Sequence, residues 1–311
     1  MKRDYYFTII AFGIIVAAWL LNNAAASPPR TQEVDPLNLS EMRLENEDKL
    51  VVPDDKVEEV WSYLLDRLVD DSTFIKSLDP DLDSYWYDEL FTDIYFDTPD
   101  LIMLKRQSGI RYRRRENLTN PEHDKSGREL LQIKLNDVDS NALNRGEIKF
   151  NISQNVNLKT QDDMHPVLGR LKAADRAEFK QLMSQLGLGI DPYSLDQVLV
   201  LEQRRRSIYI PRSGADFISI RLDEVTSELL WADWYHVEIE PELNEVPYTA
   251  AGDRERAYME SINEMIIADI LRQFPYVQQD LTPKYNKAFE YFEAKIPMLR
   301  FLIKNKLLQS F

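Results

Sequence analysis

Charged side chains recur at every second residue in segment after segment of this chain. Glu45, Glu47 and Lys49 stand two residues apart in LENEDKLVVP. A period of two is the side-chain period of a β-strand, so in a strand these three side chains share one face. The same spacing appears again in segments that hold Arg111, Arg113 and Arg115, Gln132 and Lys134, Arg145, Glu147 and Lys149, Glu202, Arg204 and Arg206, Arg221 and Asp223, and His236, Glu238 and Glu240.

Strands with a charged face cannot pack that face into an apolar core, because unpaired buried charge is very costly. The pattern therefore predicts a closed antiparallel sheet around a wet, charged tunnel. Strands are predicted near 42–52, 91–97, 109–116, 129–136, 146–152, 197–210, 216–225 and 233–242. Eight is the number of strands at which an antiparallel sheet closes on a narrow interior. Helices are predicted at 54–70, 166–186, 253–273 and 284–308. The fold class is α+β, an eight-stranded closed β-tunnel with peripheral helices.

Composition excludes several classes of function. The 311 residues carry a formal net charge of −15, which argues against a general nucleic-acid binder. The chain has no cysteine, so disulfides, thiolate zinc sites and a cysteine nucleophile are excluded. A few arginines focused in a cavity can still attract an anion, because the local field governs binding in a cleft. No protein partner can be inferred from these features.

The N-terminal end of the chain points to a membrane. Lys2 and Arg3 precede an uncharged run over residues 5–21, and small residues follow at 24–27. This pattern predicts a signal peptide or membrane anchor over 1–26, followed by a linker over 27–40 and an extracytoplasmic location for the rest. Residues 294–311 form a basic amphipathic helix in this interpretation, which either lies on an anionic membrane or packs on the barrel.

The order of the motifs resembles that of the CYTH domains, the triphosphate tunnel metalloenzyme superfamily. The segment ENEDK is similar to the opening ExExK signature of this family. The segments that follow in the same order are IYFDTPDLIMLKRQSGIRYRRRE, LQIKL, RGEIKF, RRRSIYI, SIRLDEV, YHVEIEPEL and TPKYNKAFEYF. The resemblance covers about 41–293, with 153–196 as a helical insertion over one mouth of the tunnel. One departure is Pro283, which stands where the family has a serine.

The resemblance implies metal-dependent hydrolysis of inorganic triphosphate, short-chain polyphosphate or another organic triphosphate. The residues that it implies for gripping phosphate are Lys49, Arg111, Arg113, Lys134, Arg204, Arg206 and Lys284. The residues that it implies for holding Mg²⁺ or Mn²⁺ are Glu45, Glu47, Asp223, Glu238 and Glu240, with Glu45, Glu47 and Lys49 as the catalytic signature. Guanidinium groups suit phosphate oxygens, and carboxylates suit hard cations.

Two other functions remain open at the level of sequence. The related polyphosphate-polymerase domain of the vacuolar transporter chaperone also has a YFDTPDL-like stretch, so polymer synthesis is an alternative. The same charged tunnel could also serve as a non-catalytic module that binds polyphosphate. The paired glutamates at the start of the domain favour the hydrolase.

Overall fold

Eight antiparallel strands pair edge to edge in a ring. The computed structural model describes residues 43–118, 127–136, 144–152, 160–186 and 189–308, and at positions 43–45, 117, 144 and 145 it describes the backbone alone. The strands are β1 (Arg43–Glu47), β2 (Leu50–Val51), β3 (Tyr85–Asp97), β4 (Gly109–Asn117), β5 (Glu129–Asn136), β6 (Asn144–Asn151), β7 (Asp196–Arg212), β8 (Ala215–Leu229), β9 (Ala232–Leu243) and β10 (Gln278–Gln279).

The ring closes through its first strand. The hydrogen-bonded order runs β1-β6-β5-β4-β3-β7-β8-β9, and β1 also pairs with β9, where Asn46 lies opposite Leu243 and Glu47 opposite Glu242. The two-residue strands β2 and β10 extend the sheet beyond β9. The prediction of an eight-stranded antiparallel tunnel is therefore confirmed.

The apolar side chains lie on the outside of the barrel wall. On β7 to β9 the outward residues include Ile208, Ile210, Ile220, Leu222 and Ile239, which form one buried cluster with residues of several helices. On β4 to β6 the outward residues Ile110, Leu131, Ile133 and Phe150 form a second cluster with Phe179 and Met183 of another helix. Because successive side chains alternate between the two faces of a strand, this outer core sends the charged residues inward.

Helices supply the cover for these outer faces. They are α1 (Val57–Leu65), α2 (Thr73–Leu78), α3 (Ile102–Lys105), α4 (Gln161–Met164), α5 (Ala173–Gln185), α6 (Glu245–Ala250), α7 (Asp253–Gln273), α8 (Lys284–Lys295) and α9 (Leu299–Lys304). A π-helical segment, Asp66–Asp70, continues α1. Helices α1 and α7 cover β7 to β9, and α5 covers β4 to β6.

Several features differ from the sequence prediction. The strand predicted over 42–52 is two strands, β1 and β2, and the helix predicted over 166–186 begins at Ala173. Strand β3 begins at Tyr85, six residues before the predicted start. The predicted helix over 284–308 is two helices, because Met298 between them has a left-handed backbone conformation. Helix α5, in the predicted insertion over 153–196, packs on the outer wall of the barrel instead of over a mouth.

The ends of the chain fall partly outside this description. The predicted signal or anchor over 1–26 and the linker over 27–40 lie outside the described residues. Among the residues that are described, no helix has the length and apolar character needed to cross a membrane. Near the other terminus, Leu299 is buried, and Leu302 and Ile303 pack against the apolar cluster that includes α8.

Candidate active site

The inside of the barrel is a cavity of about 290 Å³ that is lined mostly by ionic side chains. Ten basic residues and six acidic residues of the described chain line it. The basic ones are Lys49, Arg111, Arg113, Arg115, Arg128, Lys134, Lys149, Arg205, Arg221 and Lys284. The protein as a whole is strongly acidic, so this clustering of basic side chains is local to the cavity wall and suits an anionic ligand, and buried carboxylates behind the wall pair with several of them.

Strands β9 and β1 bring three carboxylates around the ammonium group of Lys49, which follows β1. The Nζ atom of Lys49 lies 3.0 Å from Oε1 of Glu47, 2.5 Å from Oε1 of Glu240 and 3.6 Å from Oε1 of Glu238. Glu238 and Glu240 share a face of β9 because they are two residues apart, and Glu47 lies near them because β1 pairs with β9. The predicted convergence of Glu47, Lys49, Glu238 and Glu240 is present.

A second ammonium group lies beside the first. Lys284 is the first residue of α8, and its Nζ atom lies 2.9 Å from Oε1 of Glu240 and 3.2 Å from Oε1 of Glu238. It also donates a hydrogen bond to Asp223 of β8. Burial alone would lower the pKa of Lys284, but Asp223, Glu240 and Glu238 outweigh it and hold the pKa above its ordinary value. Lys284 is therefore charged at neutral pH.

The same neighbours keep the carboxylates ionised. Burial alone would raise the pKa of Glu240, but Lys284, Lys49 and Arg205 hold it well below its ordinary value. For Glu238, burial is likewise outweighed by Lys284 and Lys49, and the pKa is lowered. The pocket thus holds opposite charges in both their ionised forms, and the closest pairs are in direct contact.

On β3 and β4 the arginines are anchored by an aspartate that sequence reasoning missed. Asp93 accepts hydrogen bonds from Nε of Arg113 at 2.6 Å, from Nη1 of Arg111 at 3.2 Å and from Nε2 of Gln203 at 2.5 Å. Burial alone would raise the pKa of Asp93, but Arg113 and Arg111 outweigh it and hold the pKa well below its usual range. Arg111 and Arg113 line the cavity as predicted. Phe96 of β3 packs in the outer core. Because side chains alternate along a strand and Asp93 lies three residues before Phe96, this alternation could have placed Asp93 on the inner face.

The prediction for β7 was wrong for Arg204 and Arg206. The side chain of Arg204 is 45% exposed and forms an ion pair with Asp88 at 2.7 Å. Arg206 lies under α1, where it contacts Glu58 at 3.0 Å and Glu224 at 2.9 Å. Both point away from the tunnel, because even-numbered β7 residues share the face of Ile208 and Ile210, which pack in the outer core.

Arg205 takes the place that was predicted for its neighbours. Its side chain is 7% exposed, lines the cavity, donates hydrogen bonds to both oxygens of Asp223 and lies 2.6 Å from Oε2 of Glu240. Because three arginines stand in a row, charge alone cannot decide whether Arg205 or its two neighbours point into the barrel. The apolar pair Ile208 and Ile210 was the signal that could have decided it.

The other predicted residues are accounted for as follows. Lys134 lines the cavity, and its Nζ atom lies 3.9 Å from Oε2 of Glu47. The backbone of Glu45 pairs with Arg145 of β6, but its side chain lies outside what the structure describes. Arg115 and the exposed Arg128 also line the cavity, and Arg128 directly precedes β5, where no strand pattern could have predicted it.

The donor set suits a hard divalent cation. Among the described side chains, no group of three or more acidic or histidine residues is arranged as a ready cation site. The ammonium groups of Lys49 and Lys284 lie between the carboxylates instead. Oε1 of Glu238 is buried and accepts no hydrogen bond, although both ammonium groups are ionic neighbours. Carboxylate oxygens are what Mg²⁺ and Mn²⁺ prefer, so the chemistry of Glu47, Asp223, Glu238 and Glu240 fits such an ion.

A family comparison agrees with this arrangement of strands and charges. The family profile described as the CYTH domain matches residues 73–246, which is more than half of the chain. The chain belongs to the CYTH domain family. The resemblance inferred from the order of its motifs is thereby confirmed. A search of curated proteins finds no match to the chain.

Solved structures with similarity to this CYTH domain come from several different organisms. A protein from Pyrococcus horikoshii is 18% identical, with 79% of this chain and 99% of that chain covered and a TM-score of 0.42. HpAC1 from Hippeastrum, described as an adenylyl cyclase candidate with a dominant triphosphatase activity, is 14% identical, with coverage of 83% and 99% and a TM-score of 0.43. The Pct1 RNA triphosphatase of S. pombe is 13% identical, with coverage of 77% and 87% and a TM-score of 0.35. Identities and TM-scores this low do not identify an activity.

Proposed function

We propose that this CYTH domain is a hydrolase that cleaves phosphoanhydride bonds of a triphosphate inside the barrel. Inorganic triphosphate or short-chain polyphosphate is the preferred substrate in this proposal, and another organic triphosphate is the broader class. The observation that carries the proposal is the cavity itself, where ten basic side chains surround a buried set of carboxylates. Membership of the CYTH family supports a hydrolase of this kind.

The basic side chains would hold the substrate. Arg111, Arg113 and Arg205 present planar guanidinium groups that bind phosphate oxygens in pairs, and Lys134 acts as a point charge. Each of the three arginines is already fixed by Asp93 or Asp223, so little side-chain entropy is lost when a phosphate binds. The cavity walls thus provide positioning and charge stabilisation, which are the main contributions of a protein to phosphoryl transfer.

The carboxylates would hold the metal. Glu47, Asp223, Glu238 and Glu240 are the described candidates, and Glu45 is a further candidate from the sequence. A bound Mg²⁺ or Mn²⁺ supplies Lewis-acid stabilisation of the phosphate charge as the anhydride bond breaks. Lys49 and Lys284 offset the negative charge of these carboxylates, which would otherwise repel a polyanion.

Phosphate release tests the proposal. The purified chain is incubated with tripolyphosphate and either Mg²⁺ or Mn²⁺, and Glu238→Gln serves as the matched variant that keeps the size of the side chain. We expect phosphate release in the wild type and a loss of at least about 100-fold in the variant, because one ligand is weakened. Binding without turnover would indicate a polyphosphate-binding module instead. Elongation of polyphosphate from a nucleoside triphosphate, visible on a gel, would indicate a polymerase.

The location of the enzyme is a separate proposal that rests on residues 1–26 alone. An exported or membrane-tethered protein is consistent with the two basic residues before the apolar run. Cell fractionation of the full chain, with N-terminal sequencing of the product, tests it. Recovery of the intact chain in the cytoplasmic fraction would contradict the proposal.

A further inference from the structure

One end of the barrel interior is closed by an apolar cluster that continues to the surface. Leu199 and Leu201 of β7 are buried there with Tyr285 of α8, so this helix fills one end of the ring. Leu229 at the end of β8 and Leu302 of α9 pack against the same cluster. The turn that follows β8 and the helix α9 therefore both lie at this closed end.

The turn between β8 and β9 exposes two large apolar side chains. It consists of Leu230 and Trp231, whose exposed fractions are 39% and 68%. Leu230 has a φ of 57°, the left-handed conformation for which a two-residue hairpin turn normally uses glycine, asparagine or aspartate. A leucine in this conformation costs conformational energy, and the exposed ring of Trp231 contributes little packing in return. Folding alone therefore does not account for leucine and tryptophan at this turn.

The same combination occurs where α8 passes into α9. Met298 has a φ of 62° and is 66% exposed. Phe301, three residues later, is 50% exposed, whereas Leu299 is buried in the apolar cluster. Helix α9 thus packs one side on the barrel and turns a second apolar side outward. Exposed apolar groups that gather at one end of a molecule in this way mark an interaction site.

The charge around these side chains suits the surface of an anionic bilayer. Residues 294–308 hold no acidic side chain and four basic ones, which are Lys295, Arg300, Lys304 and Lys306. Three of the four form surface ion pairs with carboxylates outside this segment. Exposed pairs of this kind are weak, so lipid phosphates can take the place of the carboxylates. Tryptophan favours the headgroup region of a bilayer, and lysine and arginine reach its phosphates with their charged ends.

We propose that this end of the barrel is a membrane-docking surface, formed by Leu230, Trp231, Met298 and Phe301 with the basic side chains of α9, and that it binds a bilayer of anionic phospholipid. The proposal goes beyond the hydrolysis of triphosphates and does not depend on it. Because the net charge of the chain is −15, repulsion from such a bilayer favours the orientation in which this local basic surface faces it. Docking by the closed end leaves the mouth of the cavity, where Arg128 is exposed, open to the solution.

A fluorescent label at this surface tests the proposal in the full chain. The chain has no cysteine, so a single introduced cysteine can be labelled selectively with the dye NBD. Asn305→Cys places the label at the end of α9, and Met164→Cys places it on α4 as an exposed control. With vesicles of phosphatidylcholine and phosphatidylglycerol, NBD emission at residue 305 should rise at least about threefold, and lipids with spin-labelled acyl chains should quench it. Emission at residue 164 should not change. The label reports which face meets the bilayer, whether or not residues 1–26 also hold the chain there.

The double variant Leu230→Gly, Trp231→Asn separates docking from folding. Glycine and asparagine suit this turn, so the Tm should stay the same or rise, while the gain in emission at residue 305 should fall at least about twofold. A lower Tm with an unchanged gain in emission would assign both residues to folding and overturn their role in docking.

Three further outcomes would overturn the proposal. The first is a gain in emission that is absent at residue 305 or equal at residues 305 and 164. The second is an equal gain with vesicles of phosphatidylcholine alone, because the basic side chains would then contribute nothing. The third is a gain that appears without vesicles and grows with protein concentration, which would indicate contact with a second copy of the chain.

Discussion

Replacing Arg205 should be far more damaging than replacing its neighbour Arg204. Both residues are arginines on β7, but Arg205 points into the cavity, and Arg204 lies on the outer face with a 45% exposed side chain. Methionine keeps much of the length of the side chain and removes the charge. The pair Arg205→Met and Arg204→Met therefore isolates the direction in which the charge points.

The size of each effect follows from burial. Arg205 binds Asp223 and Glu240, and all three are buried, so removing it leaves uncompensated charge that costs about 3–5 kcal/mol in the free energy of unfolding. For a chain of this size, that corresponds to a fall in Tm of roughly 6–20 °C. The exposed ion pair between Arg204 and Asp88 contributes at most about 1 kcal/mol.

The effect on activity is separable from the effect on stability. A guanidinium group bound to phosphate is worth roughly 1.5–3 kcal/mol, so kcat/KM for tripolyphosphate should fall about 10- to 100-fold in Arg205→Met. The kcat/KM of each variant is measured at a temperature at which circular dichroism shows that the variant is fully folded. The kcat/KM of Arg204→Met should stay within about twofold of the wild type, because this residue forms only an exposed ion pair. Equal losses in the two variants, or a larger loss in Arg204→Met, would refute the assigned direction of β7.

Three further predictions concern Asp93, which anchors two arginines of the cavity, Lys287, which positions Glu238, and Arg128 at the mouth of the cavity. The pKa of Asp93 is lower in the folded chain than in the unfolded chain, where it is about 3.9. The ionised carboxylate therefore contributes its full stabilisation of the folded state above about pH 3.9, and this contribution is lost as the pH falls through the folded pKa. Denaturant titrations should therefore show a steeper loss of stability below about pH 4 in the wild type than in Asp93→Asn. Lys287 holds Oε2 of Glu238 at 2.9 Å, so Lys287→Met should weaken calorimetric Mn²⁺ binding roughly 10- to 100-fold. Lys295 is exposed on the same helix, so the control Lys295→Met should leave Mn²⁺ binding unchanged. Equal Mn²⁺ affinity in the two variants would contradict the positioning role of Lys287. Arg128 is exposed at the mouth, so in stopped-flow binding Arg128→Met should slow association and reduce its salt dependence, and an unchanged salt dependence would exclude steering by this residue.

The period-two charges were sufficient to predict the ring of strands. The ionic face of each strand must contact water or other charges, and the apolar opposite face is covered by helices. The ionic faces therefore point into the interior of the ring. This reasoning placed Glu47, Lys49, Arg111, Lys134 and Glu240 in the cavity. It failed at β7, because three consecutive arginines carry no parity of their own and the two isoleucines that follow were not used to set it.

Other parts of the site depend on tertiary structure that the sequence does not show locally. Arg128 lies outside any strand pattern and reaches the cavity only because β4 and β5 pair. The closure of one end depends on α8, whose apolar residues look like those of any amphipathic helix. Its role follows from where Tyr285 docks against Tyr95, a contact between residues distant in the sequence.

The most direct test is an experimental structure with a non-hydrolysable imidotriphosphate and Mn²⁺. We predict the triphosphate inside the barrel in contact with Arg111, Arg113 and Arg205, with its terminal phosphate toward Lys284 and Mn²⁺ bound by Glu238 and Glu240. A triphosphate bound on the outer face beside Arg204, with the interior free of ligand, would contradict the central claim.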